Sequence, residues 1–209
     1  MKGRMLRCAC LIVTFGMAIV PSTPGQDATS HTAESVARDL DEIGRIAGVR
    51  VDGDVCGRIM TARSLEKMFA EDPKDPWAAS DNFDVNHEPY IQTKKTLIRL
   101  SRLVPYACDV NLWMPFQEKP DRIQVLIRNA NEWSQFWTWG QLTQPMPAEM
   151  KRVLDTGKRE KVTRGAGLIS VLAPVYDSLG DIVAVIEAVA AQPGARLPQV
   201  HARLRVPQE

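Results

Sequence analysis

The spacing of apolar and polar positions changes several times along this 209-residue chain, and each spacing predicts an element. Over 33–47 apolar residues recur every three to four positions, and Thr32 can cap a helix there. A shorter helix is predicted for 61–70, before a proline-rich break, and another helix begins at Pro89. The glycine-containing residues 48–57 between the first two helices are interpreted as a turn or loop.

Farther along the chain the apolar spacing shifts to every second residue. Apolar side chains alternate over 106–116, which predicts a half-buried strand, and 122–128 is its return strand. A helix follows from Pro147 to a C-terminal cap at Gly157. A short strand over 160–163 then leads towards the C-terminal third of the chain.

Two runs rich in Val, Ile and Leu, 168–176 and 181–189, flank an Asp-Ser-Leu-Gly break. Gly180 can adopt the left-handed conformation that closes such a turn, so the runs are predicted to be antiparallel neighbours at the centre of a sheet. Both faces of the hairpin are apolar, so both are expected to be covered. An Ala-rich helix over 181–191 is the rival interpretation, which the β-branched residues disfavour. The order predicts an α+β domain with N-terminal helices packed on an antiparallel sheet of about five strands.

The ends of the chain differ from this central domain, which is predicted to span 32–190. Residues 1–25 combine a basic start, an uncharged apolar run and a break of small residues, which is typical of a secretory signal peptide. An uncleaved membrane anchor is the alternative. Export to the periplasm or secretion is therefore predicted, and the proline-containing residues 191–209 are interpreted as a flexible tail.

Charge and cysteine content narrow the partners and the covalent links. The leader carries three basic and no acidic residues, so 23 Lys and Arg face 25 Asp and Glu after cleavage. No long basic block occurs, which argues against a nucleic-acid partner. Cys56 and Cys108 are the cysteines outside the leader. An oxidising compartment permits a disulfide between them, and two separate buried thiols are the equal alternative.

Short motifs in this order resemble a known family. Residues 172–177 (Leu-Ala-Pro-Val-Tyr-Asp), followed by 180–186 (Gly-Asp-Ile-Val-Ala-Val-Ile), are similar to the Ala-Pro-Ile, turn, Gly, Val-Val-Gly-Val pattern of extracytoplasmic Cache sensor domains, which are PAS-like. Residues 154–157 resemble the family's ending of the preceding helix, and 90–103 resemble the helix packed under its sheet. The sequence departs from the pattern at Ala184, where glycine is frequent.

The resemblance implies a sensor whose ligand pocket is built by segments on one side of the sheet. The aromatic stretch 131–140 would wall that pocket, and Arg128 could pair with a carboxylate through its planar fork. Tryptophan faces could equally hold an amine. The candidate ligand-binding residues are Arg128, Trp133, Trp137, Trp139, Ser170 and Asp109.

Each candidate has a structural alternative. The aromatic side chains of this stretch could seal the core or contact a partner protein. Asp109 shares a strand face with Asn111 and could line a pocket, although solvent exposure is the favoured interpretation. Ser170 could bind a ligand or form an internal hydrogen bond, which is the commoner outcome.

Catalysis has little support in the sequence. No zinc-protease, nucleophile-elbow or phosphate-loop motif occurs, and the three histidines are scattered. A Cys108–His87 pair is the remaining candidate, on a cysteine expected to be buried. The sequence therefore predicts a non-catalytic, cofactor-free sensor domain that binds a carboxylate, amino acid or amine and signals through a separate envelope protein. The alternative is an interaction module with a closed pocket that uses its Trp-rich segment as an interface, for example in a homodimer. An envelope hydrolase ranks last.

Overall fold

The computed structural model describes residues 31–69, 84–137, 143–164 and 167–195. The predicted leader 1–25, most of the predicted tail and Trp139 lie outside the described residues. Within these ranges, no helix has both the length and the apolar character needed to cross a membrane.

The described residues form helices first and then mostly strands, as predicted. The elements are α1 (Ala33–Arg50), α2 (Gly53–Gly57), α3 (Ala62–Phe69), α4 (His87–Ser101), β1 (Cys108–Pro115), β2 (Arg122–Ile127), β3 (Thr143–Pro145), α5 (Ala148–Thr156), β4 (Glu160–Val162), β5 (Leu168–Tyr176) and β6 (Ile182–Ala191). The strands form one antiparallel sheet in the order β3-β2-β1-β6-β5-β4. The α+β class is confirmed, with six strands in place of about five.

Local signals explain the N-terminal helices. The Thr32 hydroxyl accepts a hydrogen bond from the Ser35 N–H at 3.1 Å, which caps α1 as predicted. The predicted loop over 48–57 is wrong, because α1 continues to Arg50 and α2 follows. Gly53 is needed for close packing and not for a turn. A Cβ added there would lie 2.5 Å from the Tyr176 carbonyl oxygen.

The predicted central hairpin is confirmed as β5 and β6, and the rival helix is excluded. Gly180 has φ 89°, and the Asp177 carboxylate accepts the N–H groups of Leu179 and Asp181, both at 2.9 Å. β6 includes Ala191, and the next N–H, of Gln192, donates to the Gly167 carbonyl at 2.7 Å. β6 therefore ends one residue past the predicted boundary at 190.

The two faces of the sheet are covered by different elements. On the first, which we call the helical face, α1 packs against β5 and β6, and α4 packs against β1. Its core consists of small and aliphatic side chains, Ala173, Ile186 and Ala188 among them. On the second face α5 packs against β5 and β6, together with an irregular stretch that follows β2.

This double cover corrects the prediction for β1. The strand was expected to be half-buried, but Cys108 to Trp113 are buried on both faces. Alternation of apolar and polar residues usually marks a solvated face, whereas here the polar positions lie under protein.

Strand β3 and helix α5 show how weak and strong local sequence signals differ. β3 was not predicted, because Thr-Gln-Pro has no apolar alternation and gains its strand geometry only by pairing with β2. α5 was predicted: Met150 and Val153 are buried, and Gly157 ends the helix with φ 67°.

Cys56 and Cys108 are both buried free thiols that belong to the core of the helical face. The structure thus has the two separate thiols, which was the alternative to the disulfide.

Candidate functional site

The stretch 129–137, which we call the clamp segment, lies across the second face of the sheet. Beneath it are two buried carboxylates on central strands: Asp109 of β1 is 1% exposed, and Glu187 of β6 is 0% exposed. Glu187 pairs in register with Asn111, two residues from Asp109, so the three side chains share one face.

Asp109 holds the first half of the clamp segment. Its carboxylate accepts the Asn131 backbone N–H at 3.2 Å, the Asn131 side-chain amide at 2.9 Å and the Trp133 N–H at 2.9 Å. Burial raises the pKa of Asp109, and these donors act in the opposite direction.

Glu187 holds the second half, and donors surround both of its oxygens. They are Ser134 Oγ at 2.6 Å, Gln135 N at 2.9 Å, Ser170 Oγ at 2.9 Å, Trp113 Nε1 at 3.1 Å and Asn111 Nδ2 at 3.4 Å. Burial raises the pKa of Glu187, opposed by hydrogen bonds from Ser134 and Gln135. A carboxylate offers about four lone-pair sites, so these donors satisfy its charged form without a cation.

Asn111 joins the two carboxylate sites. Its amide N–H donates to the Trp133 carbonyl at 2.7 Å, and its carbonyl oxygen accepts the Asn129 N–H at 3.1 Å. The irregular, partly buried backbone of the clamp segment has no ladder partners, and it obtains hydrogen bonds from strand side chains instead.

The structure brings only some of the predicted site residues together. Asp109 and Ser170 both lie in this buried network, where their polar atoms bond to protein groups; the expected exposure of Asp109 to solvent is wrong. Trp133 joins through its backbone, and its side chain is half-buried.

Arg128 and Trp137 lie apart from the carboxylates and contact each other. The guanidinium carbon is 4.2 Å from the centre of the Trp137 ring, and Arg128 also pairs with Glu132 at 3.4 Å. The sequence predicted that Arg128 would pair with a ligand carboxylate. In the structure its guanidinium group already contacts Trp137 and Glu132.

Sequence reasoning missed Glu187, the centre of the network. The signal was present: Glu187 is the only charged residue in the ten residues of β6. A lone carboxylate inside an apolar strand is rarely buried without several donors, so its position alone pointed to a buried polar cluster.

The thiol–imidazole pair has no support in the geometry. Burial raises the pKa of the Cys108 thiol to about 12, which disfavours a thiolate, while His87 is exposed in the first turn of α4. In the part of the chain that the structure describes, no three His, Cys, Asp or Glu residues group as metal ligands would.

A cavity of about 310 Å³ lies on the helical face, at the end of the sheet where β1 ends and β6 begins. Helix α3 and the residues before it form one wall, and the strand ends form the other. Its lining includes Met60, Leu65, Met114, Phe116, Gln124 and Val183. Gln124 is buried, and its Oε1 has no hydrogen-bond partner among the described residues.

A second, open depression of about 460 Å³ lies at the opposite end of the sheet, beside the C-terminal end of α4. Asp109 reaches it, together with Arg102 and Asn131. The Asp109 oxygens beside this depression already accept hydrogen bonds from the clamp segment. Asn129 also lines it, and its buried Nδ2 has no hydrogen-bond partner among the described residues.

Comparisons of the chain with protein-family models, curated proteins and solved structures found no match. The Cache resemblance therefore stays a prediction.

Proposed function

We propose that this chain is an exported, non-catalytic domain that binds a small molecule and reports it to a separate envelope protein. The cavity between α3 and the strand ends is the observation that carries the proposal. Ligand pockets are commonly about 300–1,000 Å³, mostly apolar, and supplied with a few polar groups that orient the ligand. The cavity has that size and that lining.

The geometry of the second face moves the proposed site away from the clamp segment. Asp109 and Glu187 are occupied by donors from the chain itself. A ligand there would have to displace several hydrogen bonds and the buried Phe136. The helical-face cavity needs no such displacement, so we assign ligand binding to it and a structural role to the clamp segment.

The test is a thermal-shift screen of the purified chain against aromatic heterocycles, alcohols, carboxylates, amino acids and amines. A ligand at a hundredfold excess over its Kd stabilises the folded state by about 2.7 kcal/mol, which gives a clear rise in Tm. Leu65→Trp, which places a bulky indole ring in the cavity, should abolish the rise. Arg128→Ala, on the other side of the sheet, is the matched control and should keep it.

Loss of the shift in Arg128→Ala but not in Leu65→Trp would return the ligand site to the predicted second face. A folded chain that responds to no molecule in the screen would favour the interaction module instead. The filled second face is the observation that supports that second candidate.

A further inference from the structure

We propose that the helical-face cavity takes an uncharged, mostly apolar ring compound that carries one N–H or O–H group. This inference rests on the proposed function and adds the class of ligand. Three observations support it: the apolar lining, the near absence of charge and the buried amide of Gln124.

The lining suits a flat apolar ligand. Met60, Met114 and Phe116 form part of the wall, with Leu65 of α3 and Val183 of β6. Thioethers are unbranched and polarisable, so they adapt to ring surfaces and make favourable contacts with aromatic edges. Burying apolar ligand surface against such a wall is the main source of affinity available here.

Charge is nearly absent from the described residues that line the cavity. Among the described residues that line it, Glu118 is the only ionisable one, and it is exposed on the β1–β2 loop. A carboxylate or amino acid would lose its hydration without gaining a cationic partner. An amine would find only an exposed carboxylate, which contributes little. The cavity is therefore poorly suited to the carboxylate, amino acid or amine that the sequence predicted as the ligand.

Among the described residues that line the cavity, Gln124 is the one buried polar side chain. Its residue is 2% exposed, it pairs in register with Met114 on β1, and its Oε1 lacks a partner among the described residues. A buried acceptor without a donor is costly and uncommon in folded proteins. A side-chain rotation that turns Oε1 towards the cavity would let it accept a ligand N–H or O–H, and this acceptor is what gives the site selectivity.

The experiment compares two probes of nearly identical shape by isothermal titration calorimetry. Indole carries a ring N–H, and benzofuran replaces it with an oxygen that cannot donate. Sites that hydrogen-bond a ligand group discriminate strongly against analogues that lack it. We expect indole to bind about tenfold or more tightly than benzofuran, and Gln124→Met, which keeps the length but removes the amide, to erase the difference.

The controls separate this inference from the proposed function. If Gln124→Met fails to fold, Gln124→Leu and the comparison of the two probes on the native chain still decide the matter. Equal affinity for both probes, or a preference that persists in Gln124→Met, overturns the role of Gln124. Binding of acetate, glycine or methylamine in place of indole overturns the ligand class and leaves the proposed function standing. No binding by any of these molecules, together with a flat thermal-shift screen, overturns both.

Discussion

The two faces of the sheet belong to the same strands but are covered through different interactions: apolar packing on the helical face, and hydrogen bonds to buried carboxylates on the second face. Along β6, Ala184, Ile186 and Ala188 point to the helical face, while Val185 and Glu187 point to the second face. Helices bring their own backbone hydrogen bonds, so the helical face needs only apolar side chains that fit. The clamp segment has no such ladder, and the strands must therefore supply acceptors for its N–H groups.

Replacing Glu187 with Leu should be the most damaging way to test this contrast. The substitution keeps the side chain large but leaves five donors without their acceptor. We expect a loss of about 4 kcal/mol in the free energy of unfolding, measured in urea. Hydrogen exchange at the Gln135 amide should accelerate at the same time.

The matched control lies one residue away on the other face. Ile186→Val removes a methylene from the helical-face core and should cost about 1 kcal/mol without changing exchange at Gln135. If Glu187→Leu were no more damaging than this control, the network would not be what holds the clamp segment.

The pH dependence of stability should reveal the buried carboxylate of the second face. Glu187 has a raised pKa in the folded state because it is buried, so the folded chain binds its proton more readily than the unfolded chain does. Its contribution to stability is therefore greatest below the unfolded pKa of about 4.3, and is lost as pH rises through the folded pKa. Glu149, whose pKa is lowered by Arg164, acts in the opposite sense: its contribution is lost as pH falls.

Comparing the chain with Glu187→Gln isolates the buried carboxylate, because Glu149 is present in both. The native chain should gain stability relative to the variant as pH is lowered towards 4, in urea titrations across that range. A difference that is constant with pH, or that changes in the opposite direction, would contradict the raised pKa.

The smallest expected effect is at the outer side of the clamp segment. Arg128→Ala removes a cation–π contact with Trp137 and an ion pair with Glu132, both partly solvated. We expect a loss of about 0.5–1 kcal/mol in unfolding free energy. A loss above about 2 kcal/mol would mean that these partly solvated contacts of Arg128 stabilise the fold as strongly as buried hydrogen bonds do, which would contradict the distinction between the buried and outer contacts of the clamp segment.

The sequence was informative where the signals are local. Thr32, Gly157 and the turn at Gly180 each act on residues two to four positions away, and the helices and hairpin that they delimit were predicted. The cover over the second face depends on pairs such as Gln135 and Glu187, which lie 52 residues apart. No periodicity encodes such a pair, so Asp109 was interpreted as solvent-exposed.

The candidate site shows the same division. Asp109 and Ser170 were singled out as unusual polar positions, and both belong to the buried network. The cavity on the helical face was not predicted, because it is formed by α3 and three strand ends that are distant in sequence. In the sequence, Gln124 resembles any polar residue of a strand with one solvated face. Its burial becomes apparent only when its neighbours in the fold are known.

Glu187 also matters before the chain folds. Without it, 182–191 would be an uninterrupted β-branched and Ala-rich stretch, the kind of segment that associates into intermolecular strands when it is exposed. In the unfolded chain its carboxylate is solvated and ionised at neutral pH, and a charge at that point opposes self-association. The residue that anchors the clamp segment in the folded protein thus also protects β6 from self-association before folding.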